Sequence, residues 1–115
     1  MNDLYYQHTG QGDDILLIHG WASSSLMWES TIDALADNYS LWMLDLPGFG
    51  QSPLPDGFEP TIDSYLELLV AFCDEHELAP RAIVAHSMGG MLALHLAQAR
   101  PEWDARLALI CPVVT

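Results

Sequence analysis

A chain of 115 residues has room for one domain, and with half its residues apolar it can bury a core. Its formal net charge of −13 sets 16 acidic residues against Arg81, Arg100 and Arg106, with no lysine. Such a surface repels phosphate backbones and anionic membranes, which excludes nucleic acid as a partner and leaves neutral or acyl substrates open. The N-terminus, Met1-Asn2-Asp3-Leu4-Tyr5-Tyr6, has neither a basic nor an apolar targeting region, and no window reaches the length of a membrane span. A cytoplasmic protein without membrane contact is expected. Cys73 and Cys111 fall in different elements without metal-ligand spacing, so both are expected as reduced, mostly buried thiols.

Leu4 to His8 can form a short strand, and Thr9 to Asp14 is a turn by composition. Ile15-Leu16-Leu17-Ile18 is a continuous apolar run, the pattern of a parallel strand covered on both faces. It ends in His19-Gly20-Trp21. Ala22 to Ser25 then offer N-caps for a helix with Trp28, Ile32, Leu35, Ala36 and Tyr39 at helical spacing.

Leu41 to Leu44 is a second buried strand and runs into the loop Asp45-Leu46-Pro47-Gly48-Phe49-Gly50-Gln51-Ser52-Pro53, which extends through Pro60. Thr61 can cap an amphipathic helix with Ile62, Tyr65, Leu66, Leu69, Phe72 and Cys73 on one face, Asp63 in its first turn and Pro80 beyond its end. The strand Ala82 to Ala85 leads to His86-Ser87-Met88-Gly89-Gly90. Met88 to Arg100 is a helix stopped by Pro101, and Arg106 to Cys111 is a further apolar strand ahead of Pro112-Val113-Val114-Thr115. Alternation of strand and helix argues an α/β fold with a mostly parallel, doubly wound sheet and helices on both faces.

The stretch around Ser87 carries the chemistry. A strand, a serine and a glycine two residues later, followed by a helix, is the context of a nucleophile elbow, where a sharp turn presents the hydroxyl above the sheet. The turn needs small flanking residues because the helix passes close to the strand, and Gly89 meets that need. Ala85, two residues before Ser87, stands where the G-x-S-x-G form has its first glycine. The competing reading of Ser87 is a plain helix N-cap. His19-Gly20-Trp21, at the end of an earlier strand, lies where oxyanion donors are supplied in such architectures. His19 is expected to shape that loop rather than to act as a base.

Ile15 to Trp21, Asp45 to Ser52 and His86 to Gly90 together resemble three successive signatures of the α/β-hydrolase family, in its order and spacing. Within it, Tyr5-Tyr6-Gln7 with Gly10-Gln11-Gly12, His19-Gly20-Trp21 and the Asp45 to Ser52 loop resemble the carboxylesterases of biotin synthesis, which cleave the methyl ester of pimeloyl-acyl carrier protein. The resemblance implies Ser87 as nucleophile, the backbone N–H groups of Trp21 and Met88 as oxyanion hole, and the Trp21 side chain against the acyl group. His19, Gly20 and Gly89 would shape the elbow and its loop. It also implies a small-molecule or carrier-protein-linked acyl ester as substrate and no cofactor or metal. Acyltransferase and peptidase activities are alternatives, since substrate choice belongs to a lid that is not in this sequence.

Other candidates have plainer readings. Gly48-Phe49-Gly50 is too short for a phosphate loop and lacks its lysine. The His86 side chain, adjacent to Ser87 in sequence, is expected to point away from the hydroxyl, His76 and His95 to be ordinary helix residues, and Asp45 to hold its own loop. Asp74, Glu75 and Glu77 form a solvated helix face. The family's triad runs from serine through acid to histidine in chain order, and here the sequence ends one strand after the serine. Residues 1–115 are therefore expected to be the N-terminal part of a hydrolase domain, with a missing C-terminal half as a possible partner. Without a base a serine loses on the order of a million-fold in turnover, so this stretch alone is expected to be inactive or a non-catalytic remnant.

Overall fold

A computed structural model describes residues 4–110 of the chain. Five strands, β1 (Tyr6–Gly10), β2 (Asp13–Ile18), β3 (Tyr39–Leu44), β4 (Ala82–His86) and β5 (Arg106–Ile110), form one sheet in the order β1-β3-β2-β4-β5. β2 to β5 run parallel, while β1 lies antiparallel against β3 at one edge. The fold is thus the expected α/β architecture, with one antiparallel strand the apolar pattern did not separate from the rest.

The reason lies between β1 and β2. The predicted turn from Thr9 to Asp14 shrinks to Gln11 and Gly12, and both strands extend into its flanks. Two residues cannot make the crossover that parallel neighbours require. The chain instead slips past the start of β3, where a Cβ on Gly10 or on Gly12 would stand 2.2 Å from the carbonyl oxygen of Tyr39 or of Asn38. Only glycine permits that approach, and both residues hold positive φ.

Alternation along the strands fills two layers. Ile15, Leu17, Leu41 and Met43 face Trp28 and α1 (Glu29–Leu35). Leu16, Ile18, Leu44, Ile83 and Ala85 face α2 (Ile62–Glu75) and α3 (Met88–Ala99), which contribute Leu69, Phe72, Leu92 and Leu96. Both faces are covered, which is why these strands are apolar runs rather than alternations. The helix expected from Trp28 to Tyr39 is shorter. It opens as a 3-10 turn, Ser25–Trp28, capped by the Ser24 hydroxyl, and Tyr39 begins β3. Thr61 caps α2 as expected, its hydroxyl accepting the Ser64 N–H at 3.1 Å.

β5 pairs only with β4 among the described strands, with Leu107 and Leu109 half-buried and Arg106, Ala108 and Ile110 exposed. Cys111, residues 112–115 and Met1-Asn2-Asp3 lie outside the described residues. Among those described, no helix is long and apolar enough to cross a membrane.

Candidate active site

The C-terminal ends of β2, β3 and β4 bring the predicted residues to one edge of the sheet. β4 ends at His86, and α3 begins at Met88, so Ser87 alone makes the turn. It does so at φ +56° and ψ −122°, a backbone conformation that an L-residue occupies at a cost of about 1–3 kcal/mol. Its side chain makes no capping bond to the helix, which separates it from an ordinary N-cap serine. Two backbone bonds hold the turn. The Ser87 N–H donates to the Ile110 carbonyl at 3.0 Å, and the Ser87 carbonyl accepts the Gly90 N–H at 2.9 Å.

Gly89 and Gly20 let other segments close on this turn. A Cβ on Gly89 would stand 2.7 Å from the carbonyl oxygens of both Ile18 and His19, so α3 rests directly on the end of β2. A Cβ on Gly20 would stand 2.7 Å from the Ser87 Cβ and 3.0 Å from the His86 carbonyl oxygen. One residue beyond this touching pair come the backbone amides of Trp21 and Met88. Neither amide has a hydrogen-bond partner among the described residues; Met88 opens its helix, where N–H groups have no intrahelical acceptor.

His19 is fully buried and both its ring nitrogens are engaged. The Leu46 amide can only donate, so Nε2 accepts it at 2.8 Å, and Nδ1 therefore carries the proton that goes to the Gly20 carbonyl at 2.7 Å. Burial pushes the imidazole below its ordinary pKa against the opposing pull of the Gly20 carbonyl and the Asp45 charge. A neutral ring with both nitrogens committed ties the β2 loop to the β3 loop and has no capacity left to take a proton from Ser87.

Asp45 holds its own loop and more. One buried carboxylate oxygen accepts the Gln51 N–H at 2.8 Å, and the other accepts the Ser25 N–H at 2.6 Å from the turn after Trp21. Gly50, at φ +54°, passes so close that a Cβ would stand 2.3 Å from the carboxylate. The Ser52 hydroxyl donates to the Asp45 carbonyl and accepts the Tyr5 N–H at 2.9 Å. Sequence reasoning placed Asp45 in the loop but missed its reach to Ser25, which joins residues twenty apart.

Trp21 is 63% exposed and meets Phe49 edge to face at 5.0 Å between ring centroids. Phe49 also packs on His19 at 5.8 Å, so the loop after β3 supports the one after β2. The wall formed by Phe49, Leu54, Phe58 and Tyr65 beside Trp21 was not singled out from the sequence. Its one signal was the apolar residues set among the prolines of residues 47–60. Two further histidines lie elsewhere: His95 is exposed, and His76 ends α2 among the rings of Tyr6, Trp42 and Phe72. His86 precedes the turn with a buried Nδ1 lacking a partner among the described residues. Asp74 pairs with Arg100 at 3.0 Å on the surface. No group of three or more His, Cys, Asp or Glu residues able to hold a metal occurs among the described residues.

A family profile described as the alpha/beta hydrolase fold matches residues 14–115. The chain belongs to the α/β-hydrolase family. It is 34% identical over 107 residues to a pimeloyl-[acyl-carrier protein] methyl ester esterase of Vibrio cholerae serotype O1, across 93% of this chain and 40% of that protein. It is 37% identical over 93 residues to the protein of the same name from Aeromonas hydrophila, across 81% of this chain and 35% of that one. Among solved structures it is similar to a marine microorganism esterase, with a TM-score of 0.83 and 28% identity over 95% of this chain and 41% of the other. The chain therefore spans about 40% of the length of such relatives.

Proposed function

We propose that this chain carries the nucleophile and oxyanion half of a serine carboxylesterase, with the methyl ester of pimeloyl-acyl carrier protein as the first substrate to try. The observation that carries the reading is the strained Ser87 turn with Gly20 closed against it. Strain of this kind persists only where surrounding structure enforces it, and it frees the hydroxyl from any capping bond. In the proposed reaction the Ser87 oxygen bonds to the ester carbon, and the developing oxyanion is held by the Trp21 and Met88 N–H groups. The alcohol leaves with a proton, and water then cleaves the acyl-serine to the free acid.

The general base is not His19, whose nitrogens are committed. The names of the Vibrio and Aeromonas relatives supply the substrate class, and their greater length supplies the proposed source of the acid and histidine, outside these 115 residues. A fluorophosphonate probe tests this on the protein at the full length of its gene. Stoichiometric labelling that disappears in Ser87→Ala is expected. A folded protein that takes no label refutes the reading and favours a non-catalytic remnant.

A further inference from the structure

At the end of the sheet opposite Ser87, the starts of the parallel strands surround a cavity of about 270 Å³. The residues that open β2, β3, β4 and β5 line it, namely Asp13, Tyr39, Ala82 and Arg106, together with Ile15 and Arg81. Backbone bonds fix the two arginines on neighbouring strand starts. The Arg81 N–H donates to the Asp14 carbonyl at 2.9 Å, and the Arg81 carbonyl accepts the Arg106 N–H at 3.0 Å. Pairing of Ala82 with Ile15 on one side and Arg106 on the other carries the same register into the sheet.

Charge is unevenly spread over this molecule. Three arginines stand against 16 acidic residues, and two of the three meet in this cavity. Arg100, the third, is paired with Asp74 at 3.0 Å. The side chains of Arg81 and Arg106 have no ion pair or hydrogen bond among the described residues, although Asp13 lines the same cavity. Two guanidinium groups around one concavity repel each other, and no neighbouring carboxylate is drawn in to offset them. Their donors face a space whose other walls are apolar, with Ile15 buried and the Tyr39 ring 38% exposed.

We propose that this cavity binds a small organic monocarboxylate, with its carboxylate held by Arg81 and Arg106 and its apolar body against Ile15, Ala82 and Tyr39. Guanidinium donors match a carboxylate in a planar, two-bond geometry. With the Asp13 carboxylate set against the two arginines, the cavity keeps one positive charge, which a monoanion neutralises and a dianion exceeds. An inorganic anion would also leave the apolar walls in water, whereas a short hydrocarbon body removes them from it. The site is separate from the chemistry proposed at Ser87 and does not depend on it.

Calorimetric titration of the protein at the full length of its gene tests this. Hexanoate is expected to bind, and hexanamide, its uncharged counterpart, to bind at least about ten-fold more weakly. Arg81→Gln and Arg106→Gln are each expected to weaken hexanoate binding by about ten-fold. Arg100→Gln, at the arginine already paired, should leave it unchanged. Asp13→Asn removes the one opposing charge and is expected to tighten hexanoate binding by about three-fold, a gain that misfolding cannot produce. The proposal is overturned if hexanoate does not bind, if its binding survives both substitutions in the cavity, or if Asp13→Asn weakens it. Inorganic phosphate binding as tightly as hexanoate overturns it as well. Fluorophosphonate labelling of Ser87 bears on none of these outcomes, so the carboxylate site and the nucleophile stand or fall separately.

Discussion

Gly20 is wedged against Ser87: a single methyl group on Gly20 would lie 2.7 Å from the Ser87 Cβ and 3.0 Å from the carbonyl oxygen before it. Ser87 cannot yield easily, because its N–H and carbonyl are bonded to Ile110 and Gly90. The loop must move instead, and the next amide along it belongs to Trp21.

Gly20→Ala is therefore expected to displace a proposed oxyanion donor. Loss of one such donor typically costs about 10²–10³ in rate, so fluorophosphonate labelling of Ser87 should slow to that extent. Overpacking should cost about 1–3 kcal/mol in stability by urea titration. Unchanged labelling in a folded Gly20→Ala protein would show that the Trp21 amide is no donor.

Gly89→Ala sets two effects against each other. Alanine in a helix is worth about 1 kcal/mol over glycine. Its Cβ, however, would stand 2.7 Å from two backbone carbonyl oxygens at the end of β2, a central strand flanked by β3 and β4. Backbone in that position has no soft way to retreat, and the clash should win. The variant is expected to be less stable by about 1–3 kcal/mol despite better helix propensity, and a gain in stability would refute the close approach of α3 to β2.

The pH dependence of stability follows from His19. Burial holds its folded pKa below the unfolded value of 6.5. Below pH 6.5 the unfolded chain takes up a proton that the folded chain refuses, so this contribution is complete above pH 6.5 and is lost as pH falls toward the folded pKa. His19→Leu should cost about 1–3 kcal/mol at pH 7.5, where the Leu46 N–H loses its acceptor. The gap between wild type and variant should narrow from pH 6.5 to pH 5. Charge repulsion among the carboxylates is common to both proteins and cancels in the difference. Parallel stability curves would mean that His19 titrates alike in both states.

Much of this was legible in the sequence because it rests on local patterns. Apolar runs marked Ile15–Ile18 and Leu41–Leu44 as strands buried on both faces, and helical spacing from Thr61 marked α2. The strand–serine–glycine–helix order located the turn at Ser87. Long-range relationships left weaker traces. The antiparallel placement of β1 depends on Gly10 and Gly12 brushing the start of β3, which no periodicity reports. The bond from Asp45 to the Ser25 amide joins two loops through one carboxylate, and a lone aspartate at a strand end does not announce it. The cavity beside Trp21 adds Phe49, Leu54, Phe58 and Tyr65 to it, each unremarkable where it stands in the chain.

The strain at Ser87 can be measured directly. At φ +56° a Cβ is costly and glycine is not, whatever the side chain does chemically. Ser87→Ala keeps the Cβ and the strain, while Ser87→Gly releases it at the expense of a more flexible unfolded chain, an opposing effect of about 0.4–1 kcal/mol. Strain of about 1–3 kcal/mol outweighs that loss. Ser87→Gly is thus expected to exceed Ser87→Ala in stability by on the order of 1 kcal/mol in urea titrations, although neither can accept a fluorophosphonate. If alanine proved the more stable of the two, the backbone at residue 87 would be relaxed, and the turn would owe its shape to ordinary helix initiation rather than to enforced presentation of a nucleophile.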